Sequence, residues 1–169
     1  MAADMEMLKD YLEDKLVKAR TALTALEPYT QEQVDALVKA CAKAVFDHAE
    51  ELAGDAVEET RMGVYEDKVA KNRSKARVIW WSLKGKKSVG IIDVDEASGI
   101  TKVAKPVGVV GAITPTTNPI VTCMSNSMFA LKCRNPIIIA PHGMLHQDGG
   151  VHECQPQGAG GSGSLHPDP

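Results

Sequence analysis

KPVGVVGAITPTTNPIVTCMSNSMFALKCRNPIIIAPH, residues 105–142, reads as one strand–turn–helix–strand unit and decides the fold class. Val107–Thr114 is an apolar, β-branched run with Gly108 and Gly111 spaced through it. Thr114-Pro115-Thr116-Thr117 breaks that strand. Asn118 follows as a favoured N-cap, with Pro119 at the first helical position, where a missing N–H costs nothing. The helix so begun carries Val121, Met124, Met128 and Leu131 on one stripe, and Pro136–Ala140 returns as a short continuous apolar run. Such a run between turn signals suits a buried strand of a parallel sheet. The unit is therefore a βαβ crossover, which takes ligands at the carboxyl end of its first strand, beside the helix N-terminus.

Upstream of this unit the pattern is helical. Leu8, Leu12, Leu16, Leu23 and Leu26 share one helical face, and Pro28 closes the segment. Thr30-Gln31-Glu32-Gln33 is a capping-box signature, and behind it Val34, Leu37, Val38, Cys41 and Val45 repeat at helical spacing. A further helix through Leu52–Thr60 is expected to stop near Gly63 in a left-handed turn. Tyr65–Leu83 carries Val69, Ala76, Ile79, Trp80 and Leu83 inward. Lys84-Gly85-Lys86-Lys87 reads as a solvated helix end, its cations complementing the helix dipole, rather than as an anion patch. Ser88–Val94 and Ile100–Ala104 then read as two strands joined by the polar turn Asp95-Glu96-Ala97-Ser98-Gly99.

Composition excludes several classes. A net charge of −3, 24% charged residues with both signs dispersed, and only 4% aromatics do not describe a nucleic-acid binder. No apolar run approaches the roughly 20 residues needed to span a membrane, and the acidic MAADMEMLKD start lacks a signal-peptide core. Cys41, Cys123, Cys133 and Cys154 show no disulfide framework. The expected compartment is the cytoplasm, with no metal centre.

Pro106-Val-Gly-Val-Val-Gly-Ala-Ile-Thr-Pro115, followed by Thr117-Asn118-Pro119, resembles the entry to the cofactor-binding domain of the aldehyde dehydrogenase superfamily. Ile137-Ile-Ile-Ala-Pro-His142 resembles its CoA-acylating branch in particular, in which Ala140 stands where many non-acylating members carry a cofactor-contacting Lys. Ala56-Val-Glu-Glu-Thr60 and Met62-Gly-Val-Tyr-Glu-Asp-Lys-Val-Ala-Lys71 are similar to the same branch. The resemblance covers residues 8–142 and leans towards the members that act on succinate semialdehyde. It implies an α/β fold: N-terminal helices over 1–85, a projecting strand pair over 86–105 that serves as an oligomerisation arm, and over 106–142 the first, incomplete part of a doubly wound, dinucleotide-binding parallel sheet.

The same resemblance implies the chemistry. A Cys thiolate attacks an aldehyde, NAD or NADP takes the hydride, and coenzyme A resolves the thioester, in an enzyme that is a homo-oligomer. Asn118 matches the family's oxyanion-hole residue, while its position alone supports a helix cap; the oxygen can cap while the nitrogen donates. Ile113, Thr114, Pro115, Thr116 and Thr117, with Ala140, Pro141 and His142, flank the expected dinucleotide crevice. The family's nucleophilic Cys belongs downstream of every residue that matches, and Cys123 and Cys133 read as packing residues. These residues taken alone are therefore expected to lack turnover. An acetylating acetaldehyde dehydrogenase is the alternative within the family. A non-catalytic protein that associates with full-length subunits through the helices and strand pair is the alternative from another class.

From Gly143 the character changes. Residues 143–169 are rich in Gly and Pro without periodicity, so disorder is the expectation. A reading-frame slip near Pro141–His142 would account for the change: back-translated with permissible codons and read in a shifted frame, the tail gives RAPEGLAACIQ, similar to the GAPE turn and strand that follow this helix in the family. Gly158-Ala-Gly-Gly-Ser-Gly163 formally matches G-x-G-x-x-G, but no strand precedes it and no helix follows, so it is compositional. His146, His152, Cys154 and His166 have neither the spacing nor the order of a zinc site.

Overall fold

Pro28 ends one helix and Thr30 begins the next, and this alternation of stops and caps lays out the first half of the chain. The computed structural model describes residues 2–142. The tail, with its glycine motif, its His and Cys residues and the expected disorder and frame slip, lies outside the described residues. In order, the elements are α1 (Ala2–Leu26), α2 (Gln31–Asp47), α3 (Ala49–Thr60), α4 (Tyr65–Leu83), β1 (Gly90–Asp95), β2 (Ile100–Ala104), β3 (Val110–Thr114), α5 (Pro119–Lys132) and β4 (Ile137–Pro141).

The capping box forms as the sequence requires. The Gln33 N–H donates to Thr30 Oγ1 at 3.3 Å, and the Thr30 N–H donates back to Gln33 Oε1 at 2.9 Å. One face of α2 then buries Val34, Val38 and Ala42. Val38 and Ala42 meet Ala76 and Trp80 of α4 and Met124 and Met128 of α5 in a single apolar cluster. Burial of each larger side chain there contributes about 1.5–3 kcal/mol. The leucine face of α1 is covered only at its carboxyl end: Leu26 is buried, but Leu8 and Leu12 remain exposed.

Helix α3 stops earlier than Gly63. Arg61 takes the left-handed turn at φ 53°, its N–H donating to the Val57 carbonyl. The Thr60 hydroxyl accepts the next N–H, that of Met62, at 3.1 Å. Gly63 is a second positive-φ residue, at 86°.

Strands β1 and β2 pair antiparallel, and the register shifts between Ile91 and Asp93, leaving Ile92 as the extra residue of a bulge. Strand β1 begins later than Ser88 because Ser88 is held in a corner. Its N–H donates to Gln31 Oε1 at 2.7 Å and its hydroxyl donates to the Lys132 carbonyl at 2.6 Å. At the hairpin tip the Asp95 carboxylate accepts from the Ser98 hydroxyl at 2.6 Å and from the N–H groups of Ala97 and Ser98. These bonds, the Ser98 hydroxyl above all, hold its carboxyl below the usual carboxylate range.

Strands β3 and β4 pair in parallel, from Val110 opposite Ile137 to Thr114 opposite Pro141, with α5 as the crossover. The expected βαβ unit is present. Among the described residues this pair is the whole of the parallel sheet, which makes the α/β fold an incomplete one. Strand β3 begins at Val110 rather than Val107 because the buried Asn135 side chain claims the approach: its Oδ1 accepts from the N–H groups of Val107 and Gly108 at 2.7 and 3.2 Å. Helix α5 ends in a Schellman turn, with Asn135 N–H on the Ala130 carbonyl and Arg134 N–H on the Leu131 carbonyl. Arg134 takes the left-handed position that glycine usually fills.

Candidate functional site

Parallel pairing aligns the carboxyl ends of β3 and β4, so two separate segments arrive at one edge. Ile113 stands opposite Ala140 and Thr114 opposite Pro141. Pro115 and Thr117 follow β3, and His142 follows β4, so the register brings together every residue expected to flank the dinucleotide crevice. Their environments differ. Thr114 and Thr116 are buried, while Ile113, at 80% exposure, presents an open surface. Pro115, Thr117, Ala140, Pro141 and His142 are also exposed.

Asn118 sits at the start of α5 with φ −140° and ψ 59°, and here the structure corrects the expectation of a cap. The side chain makes no capping hydrogen bond. Its Oδ1 accepts instead from the Lys71 ammonium, and its Nδ2 lies 3.4 Å from Thr117 Oγ1. The physical reason is competition. A hydrogen bond from an ammonium is roughly twice as strong as one from a neutral peptide N–H, so the oxygen turns to Lys71.

Lys71 belongs to a cluster on α4 that hydropathy reading missed. Lys68 and Asn72, at 6% and 3% exposure, are more deeply buried than the apolar Ile79 and Leu83 on the same helix. Asn72 Nδ2 donates to the Ala49 carbonyl at 3.3 Å and ties α4 to α3. The Lys68 side chain lies over Gly63, where a Cβ would sit 2.9 Å from its Cε. Burial first, and repulsion from Lys71 second, push the Lys68 pKa down from its ordinary value. Lys68, Asn72, Ala76 and Trp80 recur every four residues along the buried stripe. A polar residue on that period is the signal that could have revealed the cluster.

Hollows open on the surface of the described residues, two of them near the parallel strand pair and the start of α5. The larger one lies along β3 and α5, between Val110–Ala112 and Phe129, away from Asn118. The smaller is lined by Ala56, Lys68, Lys71, Asn72, Asn118 and Pro119–Val121, and it is where the chemistry-bearing side chains meet. Two cations, two amides and a helix N-terminus converge there, an arrangement suited to stabilising negative charge.

The cysteines divide. Cys123 is half-buried within α5. Cys133, expected to pack, is exposed, because it lies beyond the last helical turn where the Schellman bend begins. No group of three or more His, Cys, Asp or Glu side chains able to hold a metal ion occurs among the described residues. No helix among them is long and apolar enough to cross a membrane.

Comparison with known proteins bears on the sequence and the architecture. The model of the Aldehyde dehydrogenase family matches residues 6–144. The succinate-semialdehyde dehydrogenase (acetylating) of Clostridium kluyveri is 56% identical over 131 residues, which are 78% of this chain and 29% of that protein. The crystal structure of an acetylating aldehyde dehydrogenase from Geobacillus thermoglucosidasius superposes with a TM-score of 0.79 at 38% identity, over 85% of this chain and 31% of that one. An engineered glycolyl-CoA reductase with bound NADP+ superposes with a TM-score of 0.60 at 31% identity, over 78% of this chain and 30% of the other. The chain thus spans about 30% of the length of the relatives it matches. On its matched sequence and its architecture, the chain belongs to the aldehyde dehydrogenase family.

Proposed function

We propose that the chain is the N-terminal part of a CoA-acylating aldehyde dehydrogenase that interconverts succinate semialdehyde and succinyl-CoA with NAD or NADP, in the cytoplasm. The observation that carries this reading is the meeting of Asn118, Lys71 and the start of α5 beside the carboxyl end of β3. Residues 106–142 open the dinucleotide-binding domain, residues 1–85 form its helical cover, and the 86–105 strand pair is the arm through which subunits associate as a homo-oligomer.

In this reading the exposed edge formed by Ile113, Thr114, Pro115, Thr116, Thr117, Ala140, Pro141 and His142 holds the cofactor. Its fit rests on the openness of that edge and on the hydroxyl-bearing threonines that line it. The bound dinucleotide supplies a hydride acceptor. Asn118 supplies the oxyanion donor: with Oδ1 committed to Lys71, the amide nitrogen is the atom left to face developing negative charge. A donor of this kind contributes about 10²–10³ in kcat. The nucleophilic thiolate comes from sequence beyond these residues, so the chain alone carries no turnover.

Joining residues 6–142 to the remaining part of the succinate-semialdehyde relative tests the reading. The expected hybrid oxidises succinate semialdehyde with strict dependence on CoA, and Asn118→Ala lowers its kcat about 10²–10³-fold. The chain by itself is expected to form no acyl-CoA. A folded hybrid without CoA-dependent activity, or an Asn118→Ala hybrid at full rate, would overturn the proposal.

A further inference from the structure

We infer that Lys71 is a positioning residue: its ammonium fixes the orientation of the Asn118 amide, so that the nitrogen rather than the oxygen faces the reacting carbonyl. The inference rests on the functional reading above and adds to it a residue from α4, 47 positions away in sequence.

The terminal amide of an asparagine side chain is nearly symmetric in shape. Oxygen and nitrogen are nearly the same size, so packing alone scarcely distinguishes the two orientations related by a half-turn about the last torsion. Only the first presents a donor to an oxyanion; the second would present an acceptor and repel it. Something must therefore select between them. The backbone does not, because Asn118 makes no capping bond to the first turn of α5. Thr117 Oγ1 does not, because a hydroxyl both donates and accepts and would tolerate either atom of the amide. Lys71 does. An ammonium has three donors and no acceptor, so it accepts the carbonyl oxygen as its neighbour and excludes the NH2 group.

The surroundings hold Lys71 to this task. Asn72, the next residue, is buried and anchored to the Ala49 carbonyl, which fixes the turn of α4 from which Lys71 projects. Lys68, one helical turn earlier on α4, is buried over Gly63 and adds a second positive group to the same hollow. Lys71 therefore acts through Asn118, and its charge also adds to the field in which the oxyanion develops.

Two measurements test the inference. In the full chain, labelled at asparagine nitrogen, the Asn118 side-chain NH2 is expected to give one sharp pair of cross-peaks, set by a single orientation about the last torsion. Lys71→Met, which keeps the aliphatic stem, should shift and broaden these peaks as the amide samples both orientations, without moving the thermal midpoint, and Lys71→Arg should restore them. Unchanged Asn118 side-chain resonances in Lys71→Met would overturn the inference. In the hybrid enzyme, Lys71→Met is expected to lower kcat about 10- to 100-fold, the scale of a misplaced catalytic contact, with KM little changed and with partial rescue by Lys71→Arg. An active hybrid whose kcat is indifferent to Lys71→Met would overturn the positioning role and leave the functional reading standing. An inactive hybrid with Lys71 in place would overturn both.

Discussion

Lys132 is the most deeply buried cation with an ionic partner among the described residues, and removing either partner should have very unequal effects. Its side chain is 5% exposed and its ammonium is paired with Asp35, whose side chain is 26% exposed. Asp35 also accepts from Gln31 Nε2 at 3.0 Å. Asp35→Ala leaves an ammonium in a nearly dry site with its counter-ion gone, and uncompensated buried charges cost about 3–5 kcal/mol. That is a large fraction of the roughly 5–15 kcal/mol available to a domain. Lys132→Met removes the buried charge, keeps the stem volume, and leaves a carboxylate that retains Gln31 and reaches water. Its cost should be about 1 kcal/mol or less, as for a partly exposed pair. The Ser88 contact survives in both variants because it uses the Lys132 backbone carbonyl. Urea unfolding of the full chain, followed by circular dichroism, measures each variant. The double variant Asp35→Ala/Lys132→Met should recover most of the loss caused by Asp35→Ala. Equal losses for the two single variants, or no recovery in the double, would refute the reasoning.

Four further outcomes follow from the structure. Arg61→Gly should stabilise the chain by about 0.5–1 kcal/mol in the same unfolding assay, because glycine adopts the left-handed turn without Cβ strain. Gly63→Ala should destabilise it by about 1–2 kcal/mol, since the backbone is left-handed there and a new Cβ meets Lys68; an alanine variant as stable as the parent would count against the described packing. The Asp95 pKa lies lower in the folded chain than in the unfolded one, so its contribution is present above the unfolded carboxylate range and is lost as pH falls through the folded value. Hydrogen-exchange protection of the Ala97 and Ser98 amides, relative to their intrinsic exchange rates, should fall over that acid window, and Asp95→Asn should abolish this pH-dependent loss of protection. Finally, Val107 and Ile113 are 88% and 80% exposed beside a sheet that, among the described residues, has two strands and unpaired edges. Such edges template pairing between chains, so sedimentation of the chain alone should show self-association, and a concentration-independent monomer would exclude it.

The features legible in sequence were those decided within a few residues. The Thr30 capping box, the bounds of α4 and the strand–helix–strand order of residues 105–142 depend on local chemistry and short spacing. What escaped was decided across the fold. Asn118 has every local qualification for a cap, yet a lysine on another helix takes its oxygen. Lys68, Asn72 and Lys132 are polar by type and buried by position, so a reading that sends only apolar residues inward passes over them. Arg61 and Arg134 hold left-handed turns where glycine was the natural expectation, because Gly63 and the Asn135 clamp fix the chain beyond them. The meeting of the two strand ends was legible, since a parallel crossover leaves few choices for where they lie.

The bulge at Ile92 sorts the side chains of the strand pair. Residues two apart on a strand share a face, so in a regular ladder Ile91 and Asp93 would lie on the same side. With Ile92 absorbed as the extra residue, Ile91 faces Val103, while Asp93 faces Lys102 and bonds to it at 2.8 Å. Val94 then stands opposite Thr101, on the same side as Val103. One inserted residue thus gathers Ile91, Val94 and Val103 on one surface of the ribbon and moves the Asp93–Lys102 pair to the other. Were Ile92 paired with Lys102 instead of absorbed, Asp93 would fall opposite Thr101 on the apolar side, so the two-faced character of this ribbon hangs on a single unpaired position.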